Sequence, residues 1–226
     1  MRFTDHSLIR RLCWLPLALL LSACASGPSE QPAAHAEETV FNAVLPSVVP
    51  QRLNPYTQPT HGRIGDNERA LFDQAQQAMQ RGAWPSARTT LESLTHSAPQ
   101  LSGPWLNLGI VWQKLGQADK ARTALEQAIA ANPNNLDAYN HLAVLLRETG
   151  DFAQAREIYQ QALAVWPWHL TTQRNLGILY DLYLGDGAQA LLHYEAAQAL
   201  MEEPSAELNG WIIDLKRRLD AEEKQP

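Results

Sequence analysis

The chain has 226 residues, enough for one packed domain with tails and too few for two large ones. Its 45% hydrophobic and 19% charged residues are ordinary for a globular protein, and a formal charge of -6 gives a polyanion no electrostatic support, so nucleic-acid binding is disfavoured. Both cysteines, Cys13 and Cys24, lie near the N-terminus, so nothing downstream can form an internal disulfide, ligate metal through sulfur or act as a thiol nucleophile.

Residues 1–23 have the three parts of a secretory signal. Arg2, Arg10 and Arg11 supply positive charge, Leu12–Leu21 an apolar stretch, and Ser22-Ala23 the small residues before a cleavage point. The apolar stretch is shorter than the roughly 20 residues that a membrane-crossing helix needs, and it contains Pro16. Leu21-Ser22-Ala23-Cys24 resembles the bacterial lipobox. That resemblance implies a diacylated Cys24 sulfur, cleavage before Cys24 and acylation of the new amino group, with the thiolate as the attacking nucleophile. Several acyl chains would hold the protein on a membrane durably, since each buried methylene adds about 0.8 kcal/mol. Ala25-Ser26-Gly27 follow, without the Asp that commonly retains lipoproteins in the inner membrane, which implies the outer membrane and its periplasmic side.

Residues 24–66 read as the lipidated cysteine followed by a tether. Pro28, Pro32, Pro46, Pro50, Pro55 and Pro59, with Ser, Ala, Gln and Glu between them, give an extended composition without a core of its own. Val40–Leu45 is more apolar than a tether requires and suits docking either on the folded domain or on a partner.

From residue 68 the pattern becomes helical, with a period of 34. Unit 102–135 places Trp105, Leu108, Gly109, Trp112, Gly116, Ala121, Leu125, Ala128 and Pro133 at unit positions 4, 7, 8, 11, 15, 20, 24, 27 and 32. Unit 136–169 has Tyr139, Leu142, Ala143, Leu146, Gly150, Ala155, Tyr159, Ala162 and Pro167 at the same positions. Positions 4, 7, 8 and 11 form one stripe of a first helix, and 20, 24 and 27 one stripe of a second. Small residues at 8, 20 and 27 let the pair approach closely. Glycine at 15 ends the first helix in a left-handed cap, and proline at 32 stops the second.

This pattern closely resembles the tetratricopeptide repeat. The resemblance implies an all-α, right-handed solenoid of four helix-turn-helix units and a capping helix. Unit 68–101 is degenerate, with Gln74 and Ala75 at the usual Leu-Gly positions. Unit 170–204 gains one residue before Gly185, which predicts a lengthened first helix and a modified turn at Gly185-Asp186-Gly187. Ser205 then caps a helix over 205–222 whose Leu208, Trp211, Ile212, Leu215 and Leu219 share one face, as a solenoid end requires.

No phosphate loop, dinucleotide fingerprint, nucleophile elbow or zinc-type His-Glu helix is present. His61, His96, His141, His169 and His193 are far apart and read as scattered surface residues. Catalytic residues, metal and cofactors are therefore expected to be none, and the chain is expected not to be an enzyme. Instead, the resemblance implies a concave groove lined by unit positions 2, 5, 6, 9, 12 and 13. Its candidate residues are Phe72, Leu106, Asn107, Ile110, Asn140, His141, Val144, Arg147, Arg174, Asn175 and Ile178. Asn107 and Asn175 hold the position of the asparagine ladder with which some relatives grip a peptide backbone; local bonding or solvation is the alternative. Trp166 and Trp168 flank Pro167 at an inter-repeat turn, either as a partner hot spot or as packing beneath that turn.

These features imply a periplasm-facing scaffold that binds envelope proteins or peptides in its groove and the membrane through its lipid. Small lipoproteins of this repeat family include pilus-assembly factors, among them pilotins that help secretin rings reach the outer membrane, and adaptors for cell-wall hydrolases. A pilus role is preferred, although the array is shorter than that of the pilotins. The other readings are a self-associating lipoprotein, dimeric through Trp166, Trp168 and the last helix, and a cell-wall-acting accessory enzyme, which would need clustered carboxylates that the sequence lacks.

Overall fold

The computed structural model describes Pro55 and residues 64–224. The signal segment, Cys24, most of the tether, Val40–Leu45 and His61 lie outside the described residues. Chain contacts divide after Ala43, and everything below concerns the second unit, Val44–Pro226.

The described residues fold into α1 (Asp66–Gln80), α2 (Trp84–Ser97), α3 (Ser102–Lys114), α4 (Ala118–Ala131), α5 (Leu136–Glu148), α6 (Phe152–Val165), α7 (Leu170–Leu179), α8 (Gly187–Ala199) and α9 (Ala206–Glu223). A π-helical turn, Tyr180–Leu184, continues α7, and there is no strand among these residues. The helices pair in order: α1 with α2, α3 with α4, α5 with α6, α7 with α8. Each pair stacks on the next, and α9 closes the stack against α8.

The pairing follows from side-chain size. The second helices carry Ala87, Ala121, Ala155 and Ala190 at one register position, and all are fully buried. Four residues on, Leu91, Leu125, Tyr159 and Tyr194 fill the space between helices and are at most 2% exposed. Burying each such side chain contributes roughly 1.5–3 kcal/mol. The first helices yield to them with a small residue: Ala75, Gly109, Ala143 and Gly177. At Gly109 an added Cβ would stand 2.6 Å from Leu125 Cγ, and at Gly177 2.6 Å from the Tyr194 ring. The degenerate first unit obeys the same rule, with Ala75 fully buried and Gln74 exposed.

The turns within pairs are equally regular. After α3, Gly116 has φ +71°, its N–H bonds to Gln113 O at 3.0 Å, and Gln117 N–H reaches back to Trp112 O at 2.9 Å. This closes the helix with two otherwise unmet carbonyls. The same pair of bonds recurs after α1 and α5.

The fourth unit departs from the others. Its extra residue is absorbed as the π-turn, so the closing bond spans one residue more, from Asp186 N–H to Tyr180 O at 3.0 Å. A wide turn keeps the register of both flanking helices at the cost of a bulge, and such bulges often mark functional positions. Asp186 then caps α8 by accepting from Gln189 N–H at 3.0 Å. At the far end Ser205 Oγ accepts from Leu208 N–H at 3.2 Å and starts α9. Leu208, Ile212 and Leu215 are buried beneath it, and the Trp211 ring lies 5.5 Å from that of Tyr194.

Candidate protein-binding face

The first helices of successive pairs touch directly (α1 with α3, α3 with α5, α5 with α7), so their equivalent positions lie side by side. Phe72 leans on α3, where a Cβ at Gly103 would meet its ring at 3.4 Å. Leu106, Ile110, Val144 and Ile178 are half-buried and give the face an aliphatic floor. Arg174 is exposed, and His141 and Arg147 are half-buried.

The two asparagines on this face differ. Asn175 Nδ2 donates to Asn140 Oδ1 at 3.3 Å, so part of its amide is already engaged within the protein. Asn107 is half-buried and makes no side-chain hydrogen bond among the described residues. A continuous ladder of free amides is therefore not what the face presents. Asn140 itself is buried rather than open to the groove. Its Nδ2 donates to Leu136 O at 2.9 Å and Thr172 Oγ1 at 2.6 Å, and stands 3.3 Å from His169 Nδ1. Thr172 Oγ1 is 2.8 Å from the same His169 nitrogen. The chain of donors is satisfied when the hydroxyl donates to an unprotonated His169 Nδ1.

The histidines correct the sequence reading. Among the described histidines His96 is exposed, while His141, His169 and His193 are half-buried in helix contacts. Burial lowers the pKa of His141 against the opposing pull of Asp137 and Glu148. Burial likewise lowers that of His169, opposed by Asp137. His193 is the most affected: burial takes it down to about 4, with Asp186 resisting. Its ring stacks on Tyr180 at 5.5 Å between centroids, and its Nδ1 lies 2.7 Å from Gln173 Oε1. Its equivalents in the other second helices, Thr90, Ala124 and Ile158, are likewise buried or half-buried, so the position itself faces a helix contact.

Trp166 and Trp168 are also less exposed than a protruding hot spot requires. Both are half-buried, and their indole N–H groups are shut from solvent without an acceptor. Trp166 packs beside Leu136, Tyr139 and Ala162, with its ring 6.0 Å from that of His169. The strongly exposed apolar side chains lie elsewhere and went unread in the sequence: Ile64 before α1, Leu182 (68%) and Tyr183 on the π-turn, Leu192 on α8 and Ile213 on α9.

Polar bridges tie the rim of the face together. Gln113 Nε2 donates to Glu148 Oε2 at 2.7 Å, joining α3 to α5. Asp181, in the π-turn, takes Arg218 Nη2 from α9 at 2.7 Å and the Tyr194 hydroxyl at 3.3 Å. Burial, then the Asp181 charge, raises the Tyr194 pKa. No group of three potential metal ligands occurs among the described residues. No described helix is long and apolar enough to cross a membrane.

The geometry agrees with what the chain resembles elsewhere. The tetratricopeptide repeat family model matches residues 113–180. The fold is similar to that of PilF from Pseudomonas aeruginosa, with a TM-score of 0.61, 20% identity and coverage of 68% of this chain and 69% of that one. It is similar to MamA from Desulfovibrio magneticus RS-1, with a TM-score of 0.58, 19% identity and coverage of 70% and 88%. A thermophilic TPR protein of Thermus thermophilus gives a TM-score of 0.54 at 23% identity, over 67% and 82% of the two chains. No curated protein matches the sequence. Paired helices in 34-residue units, left-handed glycine turns, small-residue contacts and the family model over residues 113–180 give the described array, residues 66–223, an all-α solenoid fold of the tetratricopeptide-repeat type.

Proposed function

We propose that the chain is a lipoprotein of the outer membrane whose repeat array faces the periplasm and recruits proteins during envelope assembly, with pilus or secretin biogenesis as its pathway. One observation carries the reading: the lipobox-like Leu21-Ser22-Ala23-Cys24 is joined through a proline-rich stretch to a protein-binding repeat array. The lipid would supply location and the array selectivity. The fold shared with Pseudomonas aeruginosa PilF supports testing the pilus pathway first. The aliphatic floor and the few polar groups along the first helices suit a binding surface, and binding rather than catalysis is the activity proposed.

Palmitate labelling with membrane fractionation tests the anchor. Wild type is expected to incorporate label and sediment with outer membrane, while Cys24→Ser incorporates none and moves to the soluble periplasm. A Cys24→Ser protein that stays in the outer-membrane fraction overturns the anchor. In-cell crosslinking then tests the pathway, and recovery of cell-wall hydrolases in place of secretin or pilus subunits overturns the pilus assignment.

A further inference from the structure

The π-turn does more than absorb a residue. It turns Leu182 outward, 68% exposed, and leaves Tyr183 44% exposed beside it. Tyr183 is not loose: its ring lies 5.0 Å from that of Phe152, and the Arg147 guanidinium lies over it at 5.5 Å. An aromatic and an aliphatic side chain are thus held at the rim of the face, one helical turn from the Val144 and Ile178 floor.

The charge here is unbalanced in one place. Glu148 accepts from Gln113, Asp151 accepts from Gln154 N–H as the cap of α6, and Asp181 is held by Arg218 and Tyr194. Each of these carboxylates thus already accepts a hydrogen bond from another group. Arg147 has neither a salt bridge nor a hydrogen bond among the described residues, and its Nε is shut from water without an acceptor. Behind it the Tyr159 hydroxyl, fully buried and within electrostatic reach of Arg147 and Glu148, also lacks a partner. A guanidinium packed over a ring by its face keeps its in-plane N–H donors for an acceptor, and a carboxylate fits that fork best.

We infer that Arg147, Tyr183 and Leu182 form the anchoring subsite of the array, taking a partner segment that presents a side-chain carboxylate next to a bulky apolar residue. The carboxylate would accept from the Arg147 Nη groups, which have no acceptor among the described residues and, unlike Nε, are not shut from water, and the apolar neighbour would cover Leu182 and Tyr183. This inference rests on the protein-binding reading of the array but not on the lipid anchor or the pathway.

Fluorescence anisotropy on the full-length chain in detergent tests it, using two labelled, C-terminally amidated peptides that differ only in Glu or Gln between leucines. The Glu peptide is expected to bind at least tenfold tighter than its Gln twin, with the preference shrinking at high salt. Arg147→Met is expected to abolish the preference, and Leu182→Ser to weaken both peptides alike, with unchanged helicity and melting temperature. Equal binding of the twins, a preference that survives in Arg147→Met, or no binding of either peptide overturns the subsite. Val144→Ser is expected to weaken both peptides while keeping the Glu preference, and loss of the preference in that variant overturns the assignment of the preference to Arg147. A crosslinked envelope partner retained equally by wild type and Arg147→Met supports the scaffold reading while overturning the subsite. Light scattering separates a second copy of this chain as the occupant: a dimer disrupted by Leu182→Ser also overturns it.

Discussion

At the residue scale, the buried imidazoles set the acid response. The native pKa of His193 lies near 4, below the 6.5 of an unfolded histidine. Above about pH 6.5 neither state binds the proton and the residue contributes nothing to the pH dependence. As pH falls from 6.5 toward 4, the unfolded chain takes up a proton that the native one refuses, so stability is lost. The loss from His193 approaches about 3 kcal/mol near pH 4, and the lowered pKa values of His169 and His141 act in the same direction. Urea midpoints are therefore expected to fall steadily between pH 7 and 4.5, and His193→Gln is expected to flatten that slope. A slope unchanged by the substitution would mean that His193 is not neutral in the native core. Nothing in the sequence announces this, because histidine is common on surfaces and the Tyr180 ring and Gln173 amide that enclose His193 come from the preceding helix. Conversely, the glycines and alanines at close helix contacts were legible, since only packing requires small residues at a fixed interval.

At the element scale, the π-turn joins three parts of the fold. Asp181 is only 9% exposed at its side chain and receives both the α9 arginine and the α8 tyrosine. Removing it would leave the buried Tyr194 hydroxyl without its acceptor, which costs about 1–3 kcal/mol. Asp181→Ala is expected to lower stability by that amount and to speed amide exchange in α9 before the rest of the array. Uniform exchange across all helices would show that α9 is held by its apolar face alone. The sequence did point to this region: one residue too many before Gly185 predicted a longer helix and an altered turn. Whether that residue would appear as a loop, a kink or a π-turn depends on keeping Tyr180 and Leu179 buried on one side while α8 stays in register on the other. That choice belongs to tertiary packing. The positions of Leu182 and Tyr183 follow from it and were unreadable for the same reason.

At the scale of the whole molecule, stability is shared between neighbours, since each helix pair packs chiefly on the next. The last pair relies on α9, whose Leu208, Ile212 and Leu215 are buried. Ending the chain after Pro204 is expected to uncover that surface, lower the melting temperature and produce concentration-dependent aggregation, measured by light scattering during a thermal ramp. A truncated protein that melts like the full chain would mean that α8 is stable without a cover. The all-α solenoid and its repeat phase could be read from a 34-residue period, and the closing helix from Ser205 and its apolar stripe. The binding face was legible as a set of positions but not as chemistry, because Asn140, Asn175 and Asp181 meet partners from other repeats that no local pattern identifies. The sealed end also fixes how copies can meet. A stack of repeats grows by laying one blunt end on another, and at that end α9 carries the charged Arg217, Glu222 and Glu223, all exposed. A second copy laid on that end would have to strip water from those charges, which disfavours head-to-tail stacking through α9.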